Sequence, residues 1–203
     1  MENIKSFVGV FNQIHSHANS DIIFTSFKEN IFLTSNQEIT LEIKKDILHI
    51  KSPGFRDNIS HGNGFQGSKT KNEVIYSKYW LINTTQISRL IAWGEGNITI
   101  NTDLFLPSAM IMCVNYGNIN IKDTTFETLK IKLSHQGTIN LNKSKINELE
   151  IDNTGIGDIY NFNVLKSGKF FLSGPGNITG NSAKRIGLDT VRIGSGKLTL
   201  GVI

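Results

Sequence analysis

The segment that decides the fold is residues 111–121, IMCVNYGNINI, in which two short strand-like runs flank a single glycine. After Gly117, isoleucine and asparagine alternate, so that Ile119 and Ile121 share one face of an extended strand. Two further apolar or small residues stand six and four positions before the glycine. Because glycine has no Cβ atom, it suits a left-handed or tight backbone corner. The segment therefore predicts a strand, a corner and a second strand.

This pattern recurs through the C-terminal half at a period of about 20 residues. An aliphatic residue follows two positions after each of six glycines, which are Gly96, Gly117, Gly137, Gly157, Gly176 and Gly196. The spacings are 21, 20, 20, 19 and 20 residues. This period is too short for a propeller blade or a helical hairpin and fits one coil of a β-solenoid. A leucine-rich repeat has a similar period, but its denser leucine consensus makes it the less favoured alternative.

Stacked coils should align equivalent apolar residues into two buried ladders. We expect the first ladder to contain Ile98, Ile119, Ile139, Ile159, Ile178 and Leu198, and the second to contain Leu90, Ile111, Ile131, Ile151 and Phe170. In the last repeat, the apolar pair Val191 and Ile193 is displaced by one residue. Six coils at the usual strand separation would form a rod about 25–30 Å long.

The N-terminal half differs from this repeat, although we expect residues 1–203 to form a single domain. Residues 1–52 lack the glycine repeat but are rich in strand patterns, with a hairpin turn expected at Lys44-Lys45-Asp46. This region should begin or cap the solenoid, since an open coil end exposes unpaired strand edges. Residues 53–78 are rich in Gly and Asn and are expected to form a loop, either a linker or a binding loop. The solenoid repeats then occupy residues 79–203.

The composition excludes several classes of protein. The 203 residues carry a formal net charge of +4, and the basic residues are dispersed along the chain, which argues against a specific nucleic-acid interface. The sequence contains a single cysteine, so an intrachain disulfide cannot form. No window of 18 apolar residues predicts a transmembrane helix, and the first residues lack the pattern of a signal peptide.

Residues 90–98, LIAWGEGNI, and the later Gly-Asn-Ile and Gly-Asp-Ile corners resemble the head GIN domain family of autotransporter adhesins. Paired glycines that are typical of this family occur at Gly94/Gly96, Gly155/Gly157, Gly174/Gly176 and Gly194/Gly196. The first glycine of the pair is missing before Gly117 and Gly137. The resemblance covers roughly residues 5–203 and implies a β-solenoid of the cell-surface or envelope type. It brings no catalytic residues to this chain.

Histidines are the candidate metal ligands in this sequence. His15 and His17 could present two imidazoles on one strand face, but a zinc site usually needs three or four ligands. His49, His61 and His135 are scattered in the sequence. The sequence therefore favours solvent-facing histidines and predicts no metal site.

Other signatures of enzymes or cofactor sites are weak. Residues 62–67, GNGFQG, fit a nucleotide-binding glycine pattern, but no plausible helix follows them. Cys113 occupies a predicted core position and is interpreted as a small buried hydrophobe rather than a nucleophile. We therefore predict no catalytic residues and no cofactor-binding residues.

Acidic residues in one repeat provide the best case for an enzyme. Glu148, Glu150 and Asp152 share one strand face, and Asp158 lies near the following corner. Paired carboxylates could hydrolyse a polysaccharide, but a solvated face balanced by Lys143 and Lys145 is the preferred interpretation. Aromatic platforms for sugars are sparse in the repeats and comprise Trp93, Tyr116, Phe126 and Tyr160.

The polar positions of the coils favour structural stacking. The corner and strand residues Asn97, Thr99, Asn118, Asn120 and Asn140 can form stacked amide rows that stabilise a solenoid. The same residues could present a flat polar face to a glycan, and we favour the structural interpretation.

The sequence thus predicts an all-β, single-stranded β-solenoid of about six 20-residue coils with an N-terminal strand region. Its expected role is a non-enzymatic adhesin-like or structural surface module with a glycan or protein surface ligand. A self-assembling intracellular or virion scaffold, joined through solenoid ends or edges, is the first alternative. A polysaccharide-active solenoid enzyme is the second.

Overall fold

The computed structural model of the protein describes residues 4–27, 30–35, 37–52, 77–82 and 86–203. The described residues are strands joined by turns and contain no helix of the length and hydrophobicity that a membrane crossing requires. The strands are β1 (Ile4–Val8), β2 (Gln13–His17), β3 (Ile22–Phe27), β4 (Asn30–Ser35), β5 (Thr40–Lys44), β6 (Ile47–Lys51), β7 (Ser77–Ile82), β8 (Ile87–Ala92), β9 (Ile98–Asn101), β10 (Phe105–Cys113), β11 (Ile119–Ile121), β12 (Thr125–Leu133), β13 (Ile139–Asn153), β14 (Ile159–Leu172), β15 (Ile178–Ser182), β16 (Gly187–Arg192) and β17 (Leu198–Val202).

Parallel pairing between successive coils builds the predicted β-solenoid, in which each coil has three sides. Side one stacks β3, β9, β11, the first parts of β13 and β14, then β15 and β17. Side two stacks Phe126, Ile146 and Val164 in neighbouring coils. Side three stacks β6, β2, β8, the last parts of β10, β12, β13 and β14, and then β16.

Both predicted ladders are confirmed. On side one, register pairs join Ile98 to Ile119 and continue residue by residue to Leu198. On side three, they join Leu90 to Ile111 and continue to Phe170. The members are buried, apart from Leu198, which is partly buried against the core. Burial of these rows supplies the main favourable free energy of the fold.

The last coil departs from the expected pattern. Thr190 and Arg192 occupy the positions in register with Phe170 and Leu172. Val191 and Ile193 are therefore not displaced members of the second ladder but exposed residues on the outer surface. A shift of one residue in a strand turns the side chain to the opposite face, which explains this difference.

The N-terminal region contributes a coil of its own. Ile14 of β2 pairs in register with Leu90, and Ile22 of β3 pairs with Ile98, so both ladders extend into this region. The predicted hairpin joins β5 and β6, with Lys45 and Asp46 at φ angles of 50° and 61°. Positive φ at both central residues is the geometry of a type I′ hairpin turn. The predicted loop at 53–78 lies outside the described residues, except for the start of β7.

The corner glycines are required by close approach between coils. A Cβ atom at Gly157 would overlap the carbonyl oxygen of Gly137, the equivalent glycine of the preceding coil. Their φ angles lie outside the left-handed region, so of the two corner geometries expected from the sequence the left-handed one does not occur at these glycines. The same overlap with the preceding glycine would occur at Gly117, Gly137, Gly176 and Gly196.

The substitution Gly157→Ala should destabilise the protein by about 3 kcal/mol, because the added methyl group must push backbone atoms of two coils apart. Urea unfolding followed by circular dichroism measures this effect. Gly187→Ala is the matched control, because a Cβ atom at Gly187 meets nothing within 4 Å. The control should change stability by less than about 0.5 kcal/mol. Equal stability of the two variants would contradict the close-approach explanation.

Candidate functional site

The outward surface of side three carries the most varied chemistry of the described residues. We call it the side-three surface. It is formed by the side chains of β6, β2, β8, β10, β12, β13, β14 and β16 that point away from the core. One outward row in register along it contains His49, His15, Ile91, Met112, Lys132, Asp152, Phe171 and Val191. Neighbouring strands lie about 4.8 Å apart, so such a row spans about 34 Å.

A second outward row has alternating charge. It runs from Lys130 through Glu150 and Lys169 to Asp189, with each residue in register with the next. Lys130 Nζ lies 3.0 Å from Glu150 Oε2. In the first row, Lys132 Nζ lies 3.8 Å from Asp152 Oδ2. Exposed pairs of this kind add little stability, so their main effect is to set the charge pattern of the surface.

The acidic residues singled out in the sequence are thus divided between two environments. Glu148, Glu150 and Asp152 share the outer face of β13 as expected. Lysines of the preceding coil, rather than the expected Lys143 and Lys145, form the ion pairs with Glu150 and Asp152. Asp158 lies at the corner and accepts hydrogen bonds from Asn177, so it belongs to a different structural feature.

A shallow groove of about 210 Å³ lies at the C-terminal end of the side-three surface. Phe171 and Val191 provide apolar lining, and Glu150, Lys169 and Asp189 provide charged groups. Phe171 is 36% exposed and Val191 is 48% exposed. Aromatic side chains are enriched at the centres of binding interfaces, and polar groups surround them at the rim.

Three histidines meet at the opposite end of the same surface. His15 and His49 are register partners on β2 and β6, and their ring centroids are 5.4 Å apart. His17 lies 5.8 Å from His49 and 6.5 Å from His15 by ring centroids. Burial lowers the pKa of His15, and the charges of His49 and Arg89 act in the same direction. These histidines were expected to face solvent, and they do lie on the outward face, but all three are half-buried and close together although they are scattered in the sequence.

Sequence reasoning missed this cluster because His49 lies far from His15 in the chain. The stacking of β6 on β2 brings the two together, and no periodic signal in the sequence marks that pairing. His61 and the glycine pattern at 62–67 lie outside the described residues. His135 is at a corner, where its ring lies 6.2 Å from that of Tyr116.

The aromatic residues considered as sugar platforms have different locations. Phe126 is fully buried and packs 5.8 Å from Phe105, so it is a core residue and not a platform. Trp93 is 42% exposed and stacks on His17, with ring centroids 6.4 Å apart and planes 3° from parallel. Tyr160 stacks above Asn140 on side one, in register with it.

The predicted amide stacking is confirmed at the corners. Asn97 Oδ1 accepts hydrogen bonds from the backbone N–H and the Nδ2 of Asn118, at 3.0 and 2.9 Å. Asn118 Oδ1 accepts in turn from the backbone N–H and the hydroxyl of Thr138. Asp21 begins this row by accepting two hydrogen bonds from Asn97. These bonds engage the amides in the structure and leave them less suited to bind a glycan.

Cys113 is a structural residue, as the sequence predicted. Its side chain is 1% exposed, and its Sγ atom donates a hydrogen bond to the carbonyl oxygen of Gly117 at 3.2 Å. Burial raises the pKa of the Cys113 thiol to about 11. Asn153 occupies the equivalent position two coils later and donates from Nδ2 to the carbonyl oxygen of Gly157. Both residues donate a hydrogen bond from inside the coil to the carbonyl oxygen of a corner glycine.

Comparison with known families gives one match. The family model described as "Putative auto-transporter adhesin, head GIN domain" matches residues 10–201. No curated protein matches the chain.

The chain is also similar to solved structures, and the one with the higher TM-score supports the same architecture. A "putative adhesin" from Bacteroides fragilis is 16% identical, with a TM-score of 0.61, and the alignment covers 95% of this chain and 93% of that chain. A "putative adhesin" from Parabacteroides distasonis is 13% identical, with a TM-score of 0.49 and coverage of 98% and 92%. At 16% identity, the similarity to the Bacteroides fragilis protein concerns the fold alone.

The substitution Asn118→Ala should lower the free energy of unfolding by about 1–2 kcal/mol, because it leaves hydrogen-bonding groups of Asn97 and Thr138 without their partner. Urea unfolding is the measurement. Asn120→Ala is the control on the same strand, since the described residues include no hydrogen bond to its side chain. Its effect should be below about 0.5 kcal/mol. If Asn120→Ala lowered the free energy of unfolding as much as Asn118→Ala does, the hydrogen bonds of the corner row would contribute no stability of their own.

Native Cys113 should react with a thiol reagent at pH 8 at least about 100-fold more slowly than the unfolded protein, because burial suppresses the thiolate. Absorbance during reaction with Ellman's reagent, with and without guanidinium chloride, checks this. Ser195→Cys introduces a thiol at an exposed corner position and should react quickly in the folded protein. Rapid modification of Cys113 in the native protein would overturn its assignment as a buried structural residue.

Proposed function

Because the chain belongs to the head GIN domain family, we propose that it is a non-enzymatic adhesin-like module that binds a surface ligand through its side-three surface. The observation that carries the proposal is the groove at Phe171, which lies on a regular surface built by parallel strands. The ligand would be a glycan or a protein exposed at a cell surface or envelope. The "adhesin" description of the family and of the Bacteroides fragilis relative supports this role.

The groove has the properties of a small contact site. Phe171 offers a ring with two rotatable side-chain torsions, so its immobilisation on binding costs little conformational entropy. The alternating charges of Glu150, Lys169 and Asp189 would orient a polar ligand around that ring. Backbone hydrogen bonds among β13, β14 and β16 hold these residues in place, so little reorganisation accompanies binding.

The arrangement of the acidic residues favours binding over hydrolysis. A glycosidase requires one carboxyl group that donates a proton and another that acts as a nucleophile or base. Glu150 and Asp152 instead lie beside Lys130 and Lys132 on an open, solvated face. Each carboxylate is therefore paired with a lysine rather than placed opposite a second carboxylate across a cleft.

The decisive experiment is a binding screen with Phe171→Ala. Purified protein would be applied to a glycan array and to immobilised extracellular-matrix proteins, and the best ligand titrated by surface plasmon resonance. Phe171→Ala should weaken binding about tenfold, because it removes the central apolar contact. Tyr116→Ala is the matched control, since Tyr116 is 50% exposed but lies at a corner outside the groove. The Tyr116→Ala protein should bind the ligand with the same affinity as the unmodified protein.

Two outcomes would count against the proposal. Equal affinities of the Phe171→Ala and unmodified proteins would exclude the groove as the contact site. Absence of binding to either class of ligand, together with filaments that grow with concentration in light scattering, would favour the alternative of a self-assembling scaffold.

A further inference from the structure

We propose that His15, His17 and His49 bind one divalent transition-metal ion of the class preferred by imidazole, with Zn²⁺ as the leading candidate. The site lies at the opposite end of the side-three surface from the groove. It rests on the histidine geometry alone and is independent of an adhesive role.

The strand geometry places all three imidazoles on one surface. Along β2, Ile14 and Ser16 are buried, so the alternating residues His15 and His17 point outward. Along β6, Leu48 and Ile50 are buried, and His49 points outward beside its register partner His15. Two stacked strands thus present three ligands from a backbone that hydrogen bonds already hold.

The distances between the ring nitrogens allow the three histidines to coordinate one ion. One ring nitrogen from each histidine lies within 4.8 Å of the others. Tetrahedral zinc with Zn–N bonds of about 2.05 Å needs nitrogens about 3.3 Å apart. Small rotations of the three rings would close the remaining gap of at most about 1.5 Å without movement of the strands.

His15 Nε2 supplies an independent indication of a missing partner. This nitrogen is buried from solvent and has no hydrogen-bond partner among the residues that the structure describes. A buried polar atom of this kind costs free energy unless something satisfies it. A metal ion held between the imidazoles would satisfy it directly.

The charges around the cluster are compatible with a bound cation. Lys51 is the register partner of His17, but its Nζ lies 3.5 Å from Glu42 Oε2. Glu42 is the cross-strand partner of His49, and its carboxylate also pairs with Lys44 at 2.9 Å, so it offsets the charge of both neighbouring lysines. Arg89 is exposed and can extend into solvent away from the ion.

Three histidine ligands imply a particular type of site. Imidazole suits Zn²⁺, Cu²⁺ and Ni²⁺ rather than Mg²⁺ or Ca²⁺, which prefer oxygen ligands. Three protein ligands leave one coordination position for water or an exogenous donor group. Because the ligands come from β2 and β6, the ion would also link two strands that are distant in sequence and thereby stabilise the N-terminal coil.

Isothermal titration calorimetry of the full chain, without a histidine tag and after treatment with a chelator, tests the site with ZnCl₂. We expect one ion per chain with a Kd of about 10 μM or tighter. His15→Gln and His49→Gln should each weaken binding about 10–100-fold. His135→Gln is the matched control and should bind as the unmodified protein does. Saturating Zn²⁺ should raise Tm by about 5 °C or more in the control but not in the cluster variants.

Fluorescence gives a second readout that locates the ion. Because the Trp93 ring stacks on His17 at 6.4 Å, Cu²⁺ or Ni²⁺ should quench Trp93 emission. Trp93→Phe should remove that quenching and retain the calorimetric binding of Zn²⁺. Circular dichroism confirms that each variant is folded. Binding weaker than about 100 μM in the unmodified protein, or equal affinities of the His15→Gln, His49→Gln and His135→Gln variants, would overturn the proposal.

Discussion

The close contact between a corner glycine and the carbonyl oxygen at the equivalent position of the coil before it controls the rest of the structure. Glycine has no Cβ atom to overlap that oxygen. At positions such as Gly157 above Gly137, neighbouring coils can therefore approach to hydrogen-bonding distance. Each such contact recurs at the same point of the coil, beside strands whose register aligns the buried ladders. Register in turn decides which side chains enter the core, because a shift by one residue would turn every side chain to the other face.

The outward chemistry of side three follows from that register. Residues separated by a full coil become neighbours about 4.8 Å apart. Lys130 and Glu150 therefore form an ion pair, and the row continues with alternating charge to Asp189. The same stacking brings His49 beside His15, although a long stretch of chain separates them. A surface of this kind needs no loops to assemble a site, since the strands themselves present the side chains.

The fold and the functional chemistry are separable in this protein. The solved adhesin from Bacteroides fragilis shares the architecture at 16% identity, so similarity at that level describes how the chain folds and not what it contacts. The side chains at the two ends of the side-three surface carry the functional proposals. Phe171 belongs to a groove suited to a surface ligand, and the histidine cluster belongs to a site suited to an ion. Their separation along one rigid surface allows each to act without disturbing the other.

The repeat of glycine and isoleucine by itself determined the solenoid, its period and both buried ladders, because these depend on spacing along the chain. Local turn chemistry likewise determined the hairpin at Lys44-Lys45-Asp46. Tertiary structure alone decided that Lys130 and Lys132, rather than Lys143 and Lys145, pair with the acidic residues, and that Val191 faces solvent. Tertiary structure also decided that His15, His17 and His49 lie close together. The physical reason is that these contacts depend on the register between strands of different coils, and for β2 and β6 no periodic pattern in the sequence encodes that register.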